Sequence, residues 1–307
     1  MQRSKLSLFL LLLSFSVSCL GTSAETNRID GESVMRHVEK IVAYGPHPPG
    51  SEAQKKVGAY ITDKLKSYGL EVRTHTFHPV TPLGRLEMTN IWATAKGERE
   101  SVIILASHYD SKYFEDFPFV GANDSGSSSG LLLELARFVA HENPTDYTLW
   151  FVFFDGEEAF LDWTSADSLY GSREFVKMLK LRRQLHKIST LILLDMVGEE
   201  NLVLYKDINS TAWLNKIIWD KAAEMENGDI FQRRGSTGAV DDHIPFAEEG
   251  IPVVDIIDMD YAYWHRQEDT LDKLSAKNLS IVGDVVLASL PEIVKHLRHS
   301  GHGPREQ

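Results

Sequence analysis

Seven consecutive residues, Thr148-Leu149-Trp150-Phe151-Val152-Phe153-Phe154, carry no charge among them. An apolar run of that length, rich in aromatic and β-branched side chains, reads as a strand buried on both faces. Three further runs fit the same description: Val102 to Ala106, Leu191 to Leu194 and Ile251 to Val254. Segments of helical length separate them, over 127–141, 172–186 and 213–226, and a last helix is expected over 276–298. Strands that alternate with helices and show no polar face predict a parallel sheet covered on both sides. Ser51 to Leu70 has the spacing of an amphipathic helix, entered through the Pro48-Pro49-Gly50 loop. Val72 to Phe77 alternates as an edge strand does, and a second outer strand opens at Asn90-Ile91-Trp92. The fold class expected is α/β: one domain, with a central, mostly parallel mixed sheet and helices on both faces. No repeat, low-complexity tract or linker divides the chain.

Buried strands of such folds present their chemistry at their carboxyl ends. The run 148–154 leads straight into Asp155-Gly156-Glu157-Glu158. Adjacent side chains there point in different directions, so one acid can grip a metal while the other moves protons. His108-Tyr109-Asp110 comes after the strand at 102–106, and Asp195 after the one at 191–194. Asp124 lies in a loop just before the helix at 127–141, and His265 comes after Tyr263-Trp264 beyond 251–254. Oxygen and imidazole donors without thiolate suit zinc. Three protein ligands with a fourth position open suit catalysis.

The first 24 residues stand apart. Arg3 and Lys5 precede an apolar run from Leu6 to Leu13, and Thr22-Ser23-Ala24 offers a small-residue cleavage site. This is the pattern of a secretory signal, and the run is short for a membrane span. The division expected is a signal peptide at 1–24, a catalytic domain at 25–299 and a flexible tail at 300–307. Losing Arg3 and Lys5 would take the formal net charge from −12 to about −14. With no basic cluster left, nucleic acid is excluded as a partner. The only cysteine, Cys19, lies inside the signal, so the mature chain has neither a disulfide nor a thiol nucleophile. The chain is therefore expected to be exported, periplasmic or secreted. Lipid anchoring through Cys19 is the alternative, but Ser16-Val17-Ser18 lacks the leucine-like residue that such sites carry.

Four strings carry a resemblance. They are His108-Tyr109-Asp110-Ser111-Lys112-Tyr113-Phe114, Asp155-Gly156-Glu157-Glu158-Ala159-Phe160, Asp167-Ser168-Leu169-Tyr170-Gly171-Ser172-Arg173 and Asp241-Asp242-His243-Ile244-Pro245-Phe246. Together they resemble the zinc-dependent glutaminyl cyclases (glutaminyl-peptide cyclotransferases), a branch of the zinc aminopeptidase superfamily. The second and third strings are common to the superfamily, and the first and fourth are similar to the cyclase branch alone. The likeness runs from about residue 30 to about 298. It implies the phosphorylase/hydrolase-like fold of those peptidases and an aminoacyltransferase activity. Animal cyclases have a disulfide near the first string, whereas Ser107 stands before His108 here, and a bacterial member fits best.

The resemblance also implies roles. Asp124, Glu158 and His265 match the zinc ligands, and Glu157 matches the general acid/base. Asp195 and Asp241 match acids that hydrogen-bond near the reacting amine, and so join Glu157 as catalytic candidates. Trp163, Trp264 and Tyr261 would line a pocket for one small, flat side chain. His108, with Asp195, matches the ligands of a second zinc in the aminopeptidases, with Asp124 as the bridge. One zinc is expected for a cyclase and two for a peptidase. Asp255 departs from the pattern, since animal cyclases have a histidine there, which puts the hydrogen bonding of the pocket floor in question. The activity implied is closure of an N-terminal glutamine to pyroglutamate, with peptide or protein N-termini as substrates. The alternative is removal of N-terminal residues by a two-zinc aminopeptidase. The oligomeric state has no signature in the sequence.

Overall fold

The computed structural model describes residues 29–142 and 145–299. The expected leader with Cys19 and the expected tail lie outside the described residues. In chain order the elements are α1 (Gly31–Val42), α2 (Glu52–Ser67), β1 (Glu71–Phe77), β2 (Val80–Thr81), β3 (Gly84–Arg85), β4 (Met88–Ala95) and β5 (Arg99–His108). Then come α3 (Ser128–His141), β6 (Tyr147–Phe154), α4 (Tyr170–Leu181), β7 (Ile188–Asp195), β8 (Leu204–Asp207) and α5 (Ala212–Glu224). The last are β9 (Phe231–Thr237), α6 (Ile244–Ala247), β10 (Val253–Ile257) and α7 (Ala276–His299).

Six strands form the central sheet in the order β1-β4-β6-β5-β7-β10. Every residue of β6, β7 and β10 is buried, which is why these segments read as unbroken apolar runs. The pairings β6–β5, β5–β7 and β7–β10 are parallel, while β1–β4 and β4–β6 are antiparallel. The strand that opens near Asn90 is thus inside the sheet, between β1 and β6, and β1 alone is the edge on that side. The alternating faces supply two cores. Ile103, Leu105, Phe151, Phe153 and Ile192 pack under α1, α2, α3, α5 and α7. Ile104, Val152, Phe154, Leu191 and Leu193 pack with Phe175 of α4 and Phe246 of α6. Each such side chain contributes about 1.5–3 kcal/mol when fully buried.

Two helices differ from their expected bounds. The segment predicted as helix over 172–186 stops at Leu181, because Arg183 takes a left-handed φ of 54°, and a short 3-10 turn comes next at Leu185–Lys187. The helix predicted from 127 begins at Ser128 and is preceded by a wide, kinked turn, Ala122–Ser127, in which Asp124 and Ser125 leave helical backbone angles. Trp92, Trp150 and Trp219 are buried in the core, while Trp213 is only partly buried and stacks on His296 with ring centres 4.1 Å apart. Helix α1 and the parallel β8–β9 ribbon are additions to the elements expected from the sequence. Close packing of α3 on α1 depends on Gly130, where a Cβ would come within 2.8 Å of Val38 Cγ2. Among the described residues, no helix is long and apolar enough to cross a membrane.

Candidate metal and catalytic site

Three parallel strands end side by side, and the residues at and just beyond their ends make the site. β5 ends in His108, β6 runs on into Asp155-Gly156-Glu157-Glu158, and β7 ends in Asp195. Gly156 has φ +75°, and a Cβ there would sit 2.5 Å from Met88 Sδ, so only glycine makes this turn without displacement. The turn is fixed from beneath by the buried carboxylate of Asp110, which accepts the N–H groups of Gly156 (2.8 Å), Glu157 (3.1 Å) and Glu158 (3.3 Å). These charge-assisted bonds from successive backbone N–H groups hold the turn in one shape. Glu157 and Glu158 diverge from it, the first towards His108 and the second towards His265.

Asp124 comes from the wide turn before α3. Its backbone is held by Asp269, whose carboxylate accepts from Asn123 N (2.8 Å) and Asp124 N (3.1 Å) and receives the Tyr261 hydroxyl at 2.7 Å. His265 comes from the loop beyond β10 with φ 55°, an uncommon left-handed conformation. His265 Nε2 lies 3.1 Å from Glu158 Oε1 and 3.5 Å from Asp124 Oδ2. His108 Nε2 lies 3.3 Å from both Asp124 Oδ1 and Asp195 Oδ1. Two donor sets thus converge, Asp124/Glu158/His265 and His108/Asp124/Asp195, each with its ligand atoms within 4.8 Å of one another. Asp124 Oδ2 is buried without a hydrogen-bond partner and faces the imidazole and the second carboxylate. An unpartnered buried carboxylate oxygen beside such donors fits a divalent cation, and the oxygen–nitrogen donor set fits zinc.

The electrostatics separate the two glutamates. Burial works to raise the Glu158 carboxyl, but His265 and the Lys112 ammonium overcome it and hold the pKa down to about 2. Lys112 Nζ donates to Glu158 Oε2 (3.1 Å) and to the Ala159 carbonyl (2.9 Å), leaving Oε1 to face His265. Glu157 is pushed well above the ordinary range by burial, with Asp241, Glu158 and Asp242 adding to the rise and His108 opposing it. Its Oε2 lies 4.0 Å from His108 Nδ1. Burial and the neighbouring Asp195 raise Asp241 to about 6. Before any cation is added, burial and Glu158 raise Asp124 to about 7. A bound cation would reverse that push. One of the adjacent acids is kept ionised and its neighbour is kept able to carry a proton.

These groups open into a cavity of about 440 Å³, walled by Trp163, Trp264, Leu161, Val240, Met196 and Met259 above the five acids. The cavity brings together Asp124, Glu157, Glu158, Asp195, Asp241, His265, Trp163 and Trp264. His108 lies behind them, 1% exposed. Tyr261 is not in the wall, contrary to expectation. Its ring is buried against Tyr263 and its hydroxyl serves Asp269, so it supports the turn that carries Asp124. Asp255 is not at the pocket floor either. It is fully buried on β10, its Oδ2 is 3.6 Å from His243 Nδ1, and the cavity is reached only two residues later, by Ile257. Sequence reasoning missed the supporting work of Asp110, Lys112 and Asp269. Of these, Lys112 and Asp110 stand inside a motif that the sequence singles out.

The family model for peptidase family M28 matches residues 90–290. A glutaminyl-peptide cyclotransferase of Bos taurus is 33% identical over 76% of this chain and 75% of its own. Among solved structures, an Acidobacteriales bacterium glutaminyl cyclase has a TM-score of 0.83 and 37% identity, covering 88% of this chain and 96% of that one. A Zn-dependent exopeptidase from Parabacteroides distasonis has a TM-score of 0.78 and 28% identity, covering 85% and 97%. The matched segment contains both donor sets and the Glu157–Glu158 turn, and on that footing the chain belongs to peptidase family M28, alongside the glutaminyl-peptide cyclotransferases.

Proposed function

We propose that this protein is a metal-dependent glutaminyl-peptide cyclotransferase. It closes the N-terminal glutamine of a peptide to pyroglutamate and releases ammonia. The observation that carries this reading is the split of the glutamate pair. Glu158 is bound into a ligand trio, while Glu157 stands free of it, buried and with raised proton affinity beside Asp241. Zinc held by Asp124, Glu158 and His265 would supply Lewis-acid polarisation of the side-chain carbonyl. Glu157 takes a proton from the α-amine as the new C–N bond forms. It returns one to the amide nitrogen as the old C–N bond breaks, so ammonia leaves and no water is consumed. Asp241 accepts a hydrogen bond from the α-amine and orients it, and Asp195 completes the acid cluster around it. Trp163 and Trp264 wall the glutamine side chain. Because amine and carbonyl belong to one residue, holding them together supplies much of the acceleration.

The likeness to glutaminyl cyclases and the cyclase-like strings at 108–114 and 241–246 support this reading. We assign one zinc, a single catalytic domain over 25–299 and export from the cytoplasm, the last on the Arg3–Ala24 pattern alone. A second reading, a two-zinc aminopeptidase, is favoured by the convergence of His108, Asp124 and Asp195. Product analysis separates the two. With a glutaminyl peptide, cyclisation gives ammonia and a product about 17 mass units lighter, the loss of NH₃ that Lewis-acid activation of the amide predicts. A leucyl peptide is left untouched. Free glutamine or leucine with no cyclised product would establish the peptidase reading instead.

A further inference from the structure

The β8–β9 ribbon and the histidine of Asp241-Asp242-His243 take no part in the chemistry proposed above, yet they meet underneath it. β8 ends in the buried Asp207. Its Oδ1 accepts the N–H of Ala239 (2.9 Å), and its Oδ2 accepts the Ser210 hydroxyl (2.8 Å) and lies 3.4 Å from His243 Nε2. The other ring nitrogen, Nδ1, lies 3.6 Å from Asp255 Oδ2. His243 and Asp255 are fully buried, and neither side chain has a hydrogen-bond partner elsewhere. The Ser210 oxygen also accepts the N–H of Asp255 (2.9 Å), which closes the group. Buried ionic groups are a poor source of net stability, and their best-attested use is to fix one arrangement among several.

What is fixed here is the segment that carries Asp241. Ala239 is held at its N–H by Asp207 and at its carbonyl by Asn209 Nδ2 (2.6 Å), and His243 is held at its ring. Asp241 stands between these fastenings and reaches the cavity, which neither Asp207 nor His243 lines. Burial works to raise the Asp207 carboxyl, but His243, the Ala239 N–H and the Ser210 hydroxyl hold it below the usual carboxylate range. Burial pushes Asp255 well above that range, with Asp241, Asp195 and Asp207 adding to the rise. One acid is thus an ionised anchor, while the other is able to carry a proton. We infer that Asp207 and His243 are positioning residues that act through Asp241, setting the angle at which its carboxylate meets the α-amine of the substrate. This rests on the cyclisation reading. A group that steers a nucleophile must be placed closely, since an error of about 1 Å can cost about 10²-fold in rate.

The test is a double-mutant cycle on zinc-loaded protein, with ammonia release from a glutaminyl peptide as the rate. Asp207→Asn and His243→Gln should each lower kcat by about 10–100-fold, with zinc content unchanged. Imidazole, which needs only the open position on the metal, should inhibit these variants at the concentration that inhibits wild type. Asp241→Asn keeps one acceptor oxygen and with it a residual rate. In that background the same two changes should cost less than about threefold, because the group through which they act has gone. Ser210→Ala loosens the same anchor without removing its charge. It should give a smaller drop with the same dependence on Asp241, and it carries the test if a replacement at 207 or 243 fails to fold. Equal losses in both backgrounds would make the cluster a general support of the fold and overturn the inference. So would full kcat in the folded variants, or loss of their zinc. A wild type that releases no ammonia would instead fail the reading beneath it.

Discussion

At the residue scale the informative contrast is between Glu157 and Glu158. They are neighbours in sequence and both are buried, yet one is pinned by His265 and Lys112 while the other is left with a raised pKa. Their amides should therefore fail in different ways. Glu157→Gln is expected to keep its zinc and lose turnover by about 10²–10⁴-fold, the usual weight of a general acid/base. Glu158→Gln is expected to lose the metal. Elemental analysis of both variants beside their rates checks this, and zinc missing from the first but present in the second would reverse the roles. The types and positions of these acids are legible in the sequence, because each comes directly after an apolar strand. Direction is not legible. Tyr261 is expected in the pocket with Trp163 and Trp264, but a loop can turn a side chain either way, and this one turns inward to Asp269.

At the scale of elements, three strand ends and the loops that carry Asp124, Asp241 and His265 each deliver part of the site, and the loops need fastening. Asp269 fastens the turn before α3 through two backbone N–H groups, and Tyr261 in turn orients Asp269. Asp269→Asn keeps the size but replaces an acceptor pair with one acceptor and one donor, which opposes an N–H. Zinc affinity should fall by about 10–100-fold, as is typical when a partner of a metal ligand is lost. Competition with a chelator would measure it, and an unchanged affinity would show that the turn is held by other means. The four buried strands are legible because burial on both faces leaves an unmistakable apolar run. Helix α1 has a quieter signal: Asp30 caps it, and Val34, Val38 and Ile41 form one buried stripe. The β8–β9 ribbon has weaker cues still, since β9 is mostly exposed and polar.

At the scale of the whole molecule, the acids concentrated at one end of the sheet tie stability to pH. Asp258, just beyond β10, is buried and sits against Glu199. Burial, reinforced by Glu199 and opposed by the N–H of Asp260, pushes its pKa up to about 7. The folded chain then binds more protons here than the unfolded chain between about pH 4 and pH 7, so this group's contribution to stability falls as pH rises through that window. Asp258→Asn imitates the protonated carboxyl. Its Tm should drop less than that of wild type between about pH 5 and about pH 7.5. Parallel drops in thermal melts would show that Asp258 has no part in the pH dependence. Such couplings join loops far apart in sequence, and no local pattern announces them.

One zinc and one free glutamate should together suffice to cyclise an N-terminal glutamine. Titrating zinc into the metal-stripped protein, with ammonia release from a glutaminyl peptide as the readout, tests this most directly. Ammonia production should rise linearly and reach its ceiling at about one equivalent of zinc, as expected for a single site with no redundant ligand. An ammonia ceiling reached only near two equivalents would contradict it, as would a free N-terminal amino acid as the product with no ammonia at any zinc level.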